Sequence, residues 1–137
     1  MDIRQLFLGD RLNQEVCIRG WVRTFRANRF IAINDGSCLA NMQCIVDFEQ
    51  VSEDVLAEIN TGAAVEITGT FVESQGKGQK YEIQASNINI LGVSNADEYP
   101  IQPKKHSLEF LREKAHLRVR TNTFGAVMRV RAALSFA

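Results

Sequence analysis

Glu15-Val16-Cys17-Ile18-Arg19-Gly20-Trp21-Val22-Arg23 alternates loosely between apolar and polar residues and is rich in β-formers. After a short turn at Ala27-Asn28 comes Phe30-Ile31-Ala32-Ile33, closed by Asn34-Asp35-Gly36-Ser37. Period-two alternation punctuated by Asn, Asp, Gly and Ser is the pattern of strands joined by tight turns. Gly20, inside the first strand, predicts a bend or bulge of the kind that small barrels need. Leu39 to Val46 reads as a third strand, with Gln43 between Met42 and Cys44.

Further along, the period changes. Ser52 is a suitable N-cap, Glu53 and Asp54 place acids in a first turn, and Val55, Leu56 and Ile59 share one face. That is a short helix ending near Gly62. Ala64 to Val72 returns to period two with Val65, Ile67 and Phe71 inward. Ser74 to Gln79 is a hairpin loop, and Tyr81 to Leu91 is a fifth strand with Ile83, Ala85 and Ile88 inward. The order β-β-β-α-β-β predicts an all-β domain with one short helix. It is the order of the five-stranded Greek-key OB-fold barrel, whose loops and exposed face bind oligonucleotides.

Residues 94–106 read as a connector in which Pro100 and Pro103 bracket an extended piece. From Ser107 the pattern turns helical, and Thr123 to Phe136 carries Phe124, Val127, Val130 and Leu134 on one side. An apolar helix without a partner belongs to a further domain. We therefore expect a barrel over 1–95, a linker over 96–118, and the truncated opening of a second, helical domain over 119–137.

Sixteen basic and 16 acidic side chains balance in 137 residues, 45% of which are hydrophobic. This argues against wholesale disorder and fits about one domain. No apolar run approaches the roughly 20 residues of a membrane span, and Met1-Asp2-Ile3-Arg4-Gln5 lacks the layout of a signal peptide. The expected location is cytoplasmic. Cys17, Cys38 and Cys44 read as reduced thiols buried on strands, and with His106 and His116 they make no metal-ligand spacing. No metal site is expected.

The balanced charge conceals an asymmetry. Residues 1–100 hold eight Lys/Arg against fourteen Asp/Glu, and residues 101–137 hold eight against two. Within the acidic part, Arg19, Arg23, Arg26 and Arg29 lie in a stretch with no acid. Such a local patch is what a phosphate backbone meets.

Gly76-Lys77-Gly78 lacks the spacing and the strand-to-helix setting of a nucleotide-binding loop, so it reads as a hairpin. Trp21, Phe25, Phe30 and Tyr81 are the aromatics near the arginines. Aromatic faces stack on unpaired bases, and core packing is the alternative for each. Trp21 reads as core, and Phe30 stands open between the two roles. Arg26 and Arg29 are either solvated cations or RNA contacts. Gln43 and Glu82 are either solvent-facing strand residues or readers of a splayed base's Watson–Crick edge. No nucleophile–base pair is present, so no catalytic residue is expected.

Gly20-Trp21-Val22-Arg23-Thr24, Phe30 to Ser37 and Gln43 together resemble the N-terminal anticodon-binding domain of class IIb aminoacyl-tRNA synthetases. These enzymes serve aspartate, asparagine and lysine. Tyr99 to Arg112, His116 to Val127 and Arg129-Val130-Arg131 are similar to the asparaginyl branch. The resemblance implies that Phe30 stacks on the middle anticodon uridine and that Gln43 and Glu82 hydrogen-bond it. It places Arg26 and Arg29 close by, with Arg23, Asn28 and Lys77 as backbone contacts. It likens Thr121 to Ala137 to the class II motif 1 helix of a homodimeric catalytic domain. It implies an ATP- and Mg-dependent ligase acting on tRNA(Asn). Motifs 2 and 3 are absent, so this stretch should be inactive and need no cofactor. No membrane or DNA partner is expected. An aspartyl-type relative accepting tRNA(Asn), a general single-strand-binding OB module and a purely structural domain stand as alternatives.

Overall fold

The computed structural model describes residues 1–47, 49–76 and 78–137. Val16, Ile18 and Val22 alternate along β1 (Glu15–Arg26), and all three are buried. At 12 residues this strand is long enough to serve two neighbours. Its first half pairs antiparallel with β4 (Ala64–Glu73), and its second half with β2 (Phe30–Asn34). β3 (Met42–Val46) runs antiparallel to β2 and parallel to β5 (Tyr81–Gly92), which pairs with β4. The order β1-β2-β3-β5-β4 closes on itself, so the expected OB barrel is present and, among the described residues, no sheet edge is left open.

Two glycines permit this closure. A Cβ on Gly20 would lie 2.8 Å from the Asn34 carbonyl oxygen and 2.7 Å from Ile33 Cγ2. Its role is close backbone approach, and the register irregularity anticipated there falls instead between Val22 and Thr24. Gly69 is tighter, since a Cβ would meet the Gln84 carbonyl oxygen at 2.1 Å. Gly69 opposes Ala85 while Thr68 opposes Asn87, so Ser86 is the extra residue of a bulge.

The barrel is filled by Ile18, Ile31, Ile33, Met42, Ile67, Phe71 and Ile83, each essentially sealed from solvent. α2 (Glu53–Glu58) lies where the helix was expected, and Ile59 just beyond it is buried. α1 (Ile3–Leu6) was not anticipated from the sequence. Asp2 and Gln5 form a reciprocal capping box, while Ile3 and Leu6 enter the core. Its first N–H groups are tied to the β2–β3 turn. Ile3 N–H donates to Asp35 Oδ2 at 2.7 Å and Arg4 N–H to Ser37 Oγ at 3.0 Å. The third strand begins at Met42 rather than Leu39. The Asn34 amide donates to the Cys38 and Ala40 carbonyls and holds that stretch as a turn.

The expectation that Trp21 is core is corrected: it is 38% exposed. With Val22 turned inward, Trp21 must face outward, because neighbouring strand residues alternate faces. The same alternation, with Val16 and Ile18 inside, puts Cys17 on the solvent side, contrary to expectation. Cys38 is half-buried, and Cys44 is buried with its thiol pKa pushed up by desolvation.

Beyond the barrel come α3 (Leu108–Glu113), a 3₁₀ turn (Arg118–Arg120) and α4 (Asn122–Ser135). Val127, Val130 and Leu134 on α4 are exposed, and no helix among the described residues is long and apolar enough to cross a membrane. The 3₁₀ turn and α4 touch the barrel through arginines. The Arg120 guanidinium lies 3.9 Å from the centre of the Trp21 ring. Arg129 donates to the Gly36 and Ser37 carbonyls.

Candidate nucleic-acid interface

The outer face of the barrel is organised by its register. In β2, Ile31 and Ile33 point inward, so Phe30 and Ala32 share the outer face. In β3, Met42, Cys44 and Val46 point inward, leaving Gln43 and Ile45 outside. Pairing then aligns two rows across the strands. One runs Thr24, Ala32, Gln43, Glu82, Val72, and the next runs Arg26, Phe30, Ile45, Gln84, Thr70.

Phe30, Gln43, Glu82 and Arg26 therefore come together on neighbouring rows. Phe30 is half-buried, and the Arg29 guanidinium lies 5.9 Å from its ring centre. Ala32 stands two residues from Phe30 along β2 and opposite Gln43, and presents only a methyl group to this face. Glu82 is the one buried charged residue among those described, at 6% exposure. Its Oε2 accepts from the Ser74 hydroxyl at 2.7 Å. That bond fixes the carboxylate while its remaining lone pairs can still accept.

The β1–β2 turn positions the arginines. Arg29 N–H donates to the Arg26 carbonyl at 3.0 Å, and Ala27 and Asn28 have φ of 52° and 49°. This is the type I′ geometry, which matches the twist of paired strands. Val46 N–H donates to the Arg29 carbonyl at 2.8 Å and anchors the turn to β3. Arg26 and Asn28 are exposed beside Phe30. Arg23 is directed elsewhere: its guanidinium donates to the Arg120 carbonyl and, at 3.3 Å, to Asn122 Oδ1. Partial burial lowers its pKa from the ordinary value, and the nearby Arg120 adds to this. Tyr81 is buried against Phe71, with ring centres 5.1 Å apart, and offers no open face. Lys77 lies outside the described residues.

Sequence reasoning missed Ser74, Ile45, Thr70 and Gln84. Alternation alone marks each as outward or loop, but the β3–β5 and β4–β5 registers that put Ile45, Gln84 and Thr70 in one row have no local signal, and Ser74 reaches Glu82 from the loop after β4.

A closed five-stranded barrel with aromatic, amide and carboxylate groups on one outer face defines an oligonucleotide-binding module. The family described as OB-fold nucleic acid binding domain matches residues 16–91, and the chain belongs to that family. Among curated proteins it is 51% identical over 132 residues to an asparagine–tRNA ligase of Porphyromonas gingivalis, covering 94% of this chain and 28% of that protein. It is 47% identical over 139 residues to an asparagine–tRNA ligase of Borreliella burgdorferi, covering 98% of this chain and 30% of that one. The chain thus spans less than a third of the length of these relatives. The crystal structure of asparaginyl-tRNA synthetase from Pyrococcus horikoshii, complexed with asparaginyl-adenylate, shares the fold. Its TM-score is 0.77 over 93% of this chain and 30% of that one, at 22% identity.

Proposed function

We propose that this chain is the anticodon-reading part of an asparaginyl-tRNA synthetase and that the Phe30 face binds the anticodon loop of tRNA(Asn). The division is a barrel over 1–95, a linker over 96–118 and the opening of the catalytic domain over 119–137. What supports the reading is the adjacency of Phe30, Gln43 and Glu82 on two neighbouring rows of one outer face. A splayed base needs a plane to stack on and edge groups beside it. Uracil presents one N–H donor between two carbonyl acceptors. The Glu82 carboxylate accepts from that N–H, and the Gln43 amide donates to a carbonyl. Cytosine turns a lone pair toward the carboxylate and is repelled.

Arg26 and Arg29 neutralise phosphates flanking the stacked base, with Asn28 beside them. Lys77 is a further backbone contact, and Arg23 is the weaker contributor because its donors are engaged by Arg120 and Asn122. The complete enzyme would be a cytoplasmic homodimer that joins asparagine to tRNA using ATP and Mg²⁺. No residue of this chain is assigned to that chemistry. A general single-strand binder is disfavoured by the acidic excess of residues 1–100, since such proteins depend on broad positive grooves.

The test is titration of this chain with an anticodon stem-loop bearing GUU and with one whose middle U is C. We expect the change to weaken binding at least several-fold and Phe30→Ala to abolish the difference. Equal binding of both loops by the unaltered chain would overturn base-specific reading.

A further inference from the structure

Arg23 is the extra residue where Val22 opposes Ile33 and Thr24 opposes Ala32. A bulge of this kind re-aims the side chain it carries. Arg23 is turned toward the 3₁₀ turn, where it donates to the Arg120 carbonyl and to Asn122 Oδ1. The same turn is pinned two residues back on β1, where the Arg120 guanidinium covers Trp21. No carboxylate balances these charges. The groove between the barrel, the linker and α4 is lined by Arg23, Lys104, Lys105, Arg120 and Arg129, and by no Asp or Glu among the described residues. The ion pair of Arg19 with Glu66 lies further back on β1.

We infer that the contact between the 3₁₀ turn and Arg23 is autoinhibitory: it withholds from RNA a guanidinium that, once released, holds the phosphate beside the base read by Gln43 and Glu82. The inference rests on the reading of that face as the anticodon site. Three observations carry it. First, Arg23 is within reach. Its neighbour Thr24 ends the row that runs through Ala32 to Gln43 and Glu82. Strands lie about 4.8 Å apart, so Thr24 stands about 10 Å from Gln43, a span that an extended arginine and one ribose-phosphate cover together. Second, the bonds Arg23 makes in the seam go to two uncharged oxygens, while its half-buried guanidinium faces the like charge of Arg120. A phosphate is a charged acceptor that takes the planar fork with two bonds. Third, the lock is separate from the reader. Arg120 and Asn122 belong to the 3₁₀ turn and α4, and the barrel closes without either, so their release leaves the base row intact. RNA and the turn compete for one guanidinium, and by linkage each weakens the binding of the other.

The probes are the GUU anticodon stem-loop and the loop whose middle U is C. They are titrated with the unaltered chain, Asn122→Ala, Arg120→Ala, Arg23→Ala and the Arg23→Ala/Arg120→Ala double variant. Asn122→Ala removes an acceptor without changing charge. Arg120→Ala removes a cation, which by charge alone would weaken RNA binding. Both are expected instead to tighten GUU binding by about threefold, because affinity rises with the fraction of chains whose Arg23 is free. The salt slope of Asn122→Ala should steepen by about one as Arg23 gains a phosphate. Arg23→Ala should weaken GUU binding, and adding Arg120→Ala to it should bring no gain. If neither Asn122→Ala nor Arg120→Ala tightens binding while the middle base is still read, autoinhibition is overturned and the Phe30 reading stands. A gain that survives in the double variant overturns it in the same way. Equal binding of the two loops by the unaltered chain, or binding of neither, overturns both.

Discussion

Gln43 and Glu82 stand directly opposite each other in the parallel pairing of β3 with β5, although a helix and a whole strand separate them in the chain. If they hold one base together, their losses cannot add. Gln43→Ala and Glu82→Ala are each expected to cost about 1–3 kcal/mol in binding a GUU stem-loop. The double variant should lose less than the sum, as measured by a double-mutant cycle. Strict additivity would mean that the two side chains act on different groups. Ser74→Ala should cost less than Glu82→Ala, because it frees the carboxylate without removing it.

Gly69 cannot be replaced. A Cβ there would press on the Gln84 carbonyl at 2.1 Å and on Ala85 Cα at 2.8 Å, both backbone atoms that cannot swing aside. Gly69→Ala is expected to destabilise the barrel by about 3 kcal/mol, the upper end for overpacking, or to prevent folding. Thermal melts report this directly, and an unchanged melting temperature would contradict the tight crossing.

Trp21 is the sole tryptophan, and the Arg120 guanidinium covers its ring at 3.9 Å. Intrinsic fluorescence therefore reports whether the 3₁₀ turn is seated on the barrel. Arg120→Ala should shift the emission to longer wavelength and speed hydrogen exchange across 118–135, at a cost of about 0.5–1 kcal/mol for a partly exposed cation–π contact. An unaltered spectrum would show that the contact does not persist in solution.

Asp35 ties the N-terminus to the barrel. Burial alone would raise its pKa, but hydrogen bonds from the Ser37 hydroxyl and from the Ile3 and Ser37 N–H groups outweigh this and hold it below the usual carboxylate range. A folded-state pKa below the unfolded value means that the stabilisation is present above the unfolded value, near pH 4. It is lost as pH falls through the folded value. Asp35→Ala should cost about 1 kcal/mol at neutral pH, as loss of a capping carboxylate does, and flatten the acid limb of the stability curve. Equal acid sensitivity in the variant would place the titration elsewhere.

Ala27 holds φ of 52° in the β1–β2 turn, a left-handed conformation that costs an L-residue about 1–2 kcal/mol. Glycine adopts it freely but loses more entropy on folding. Ala27→Gly should therefore stabilise the chain by up to about 1 kcal/mol, seen as a higher melting temperature. A lower one would mean that glycine's entropy loss outweighs the strain relieved.

Alternation along Val65, Ile67 and Phe71, and along Ile83 and Ala85, was enough to identify two strands and their inward faces, because the side-chain period of a strand is a local property, whereas Ile88 is inward only because the bulge at Ser86 shifts the phase. The turn signal Asn34 to Ser37 and the helix beginning at Ser52 were legible for the same reason. The resemblance of the chain to known synthetases pointed to Phe30, Gln43 and Glu82 individually. Three things needed the folded chain. Trp21 and Cys17 proved outward because the strand's phase is set by which neighbours close the core, not by hydrophobicity. α1 escaped notice because four residues make no periodic signal, and the helix is held by the distant side chains of Asp35 and Ser37. The alignment of Gln43 with Glu82, and of Phe30 with Ile45 and Gln84, comes from the register of β3 between β2 and β5. Register depends on barrel closure and on the bulge at Gly69, contacts between residues far apart in sequence that no local pattern encodes.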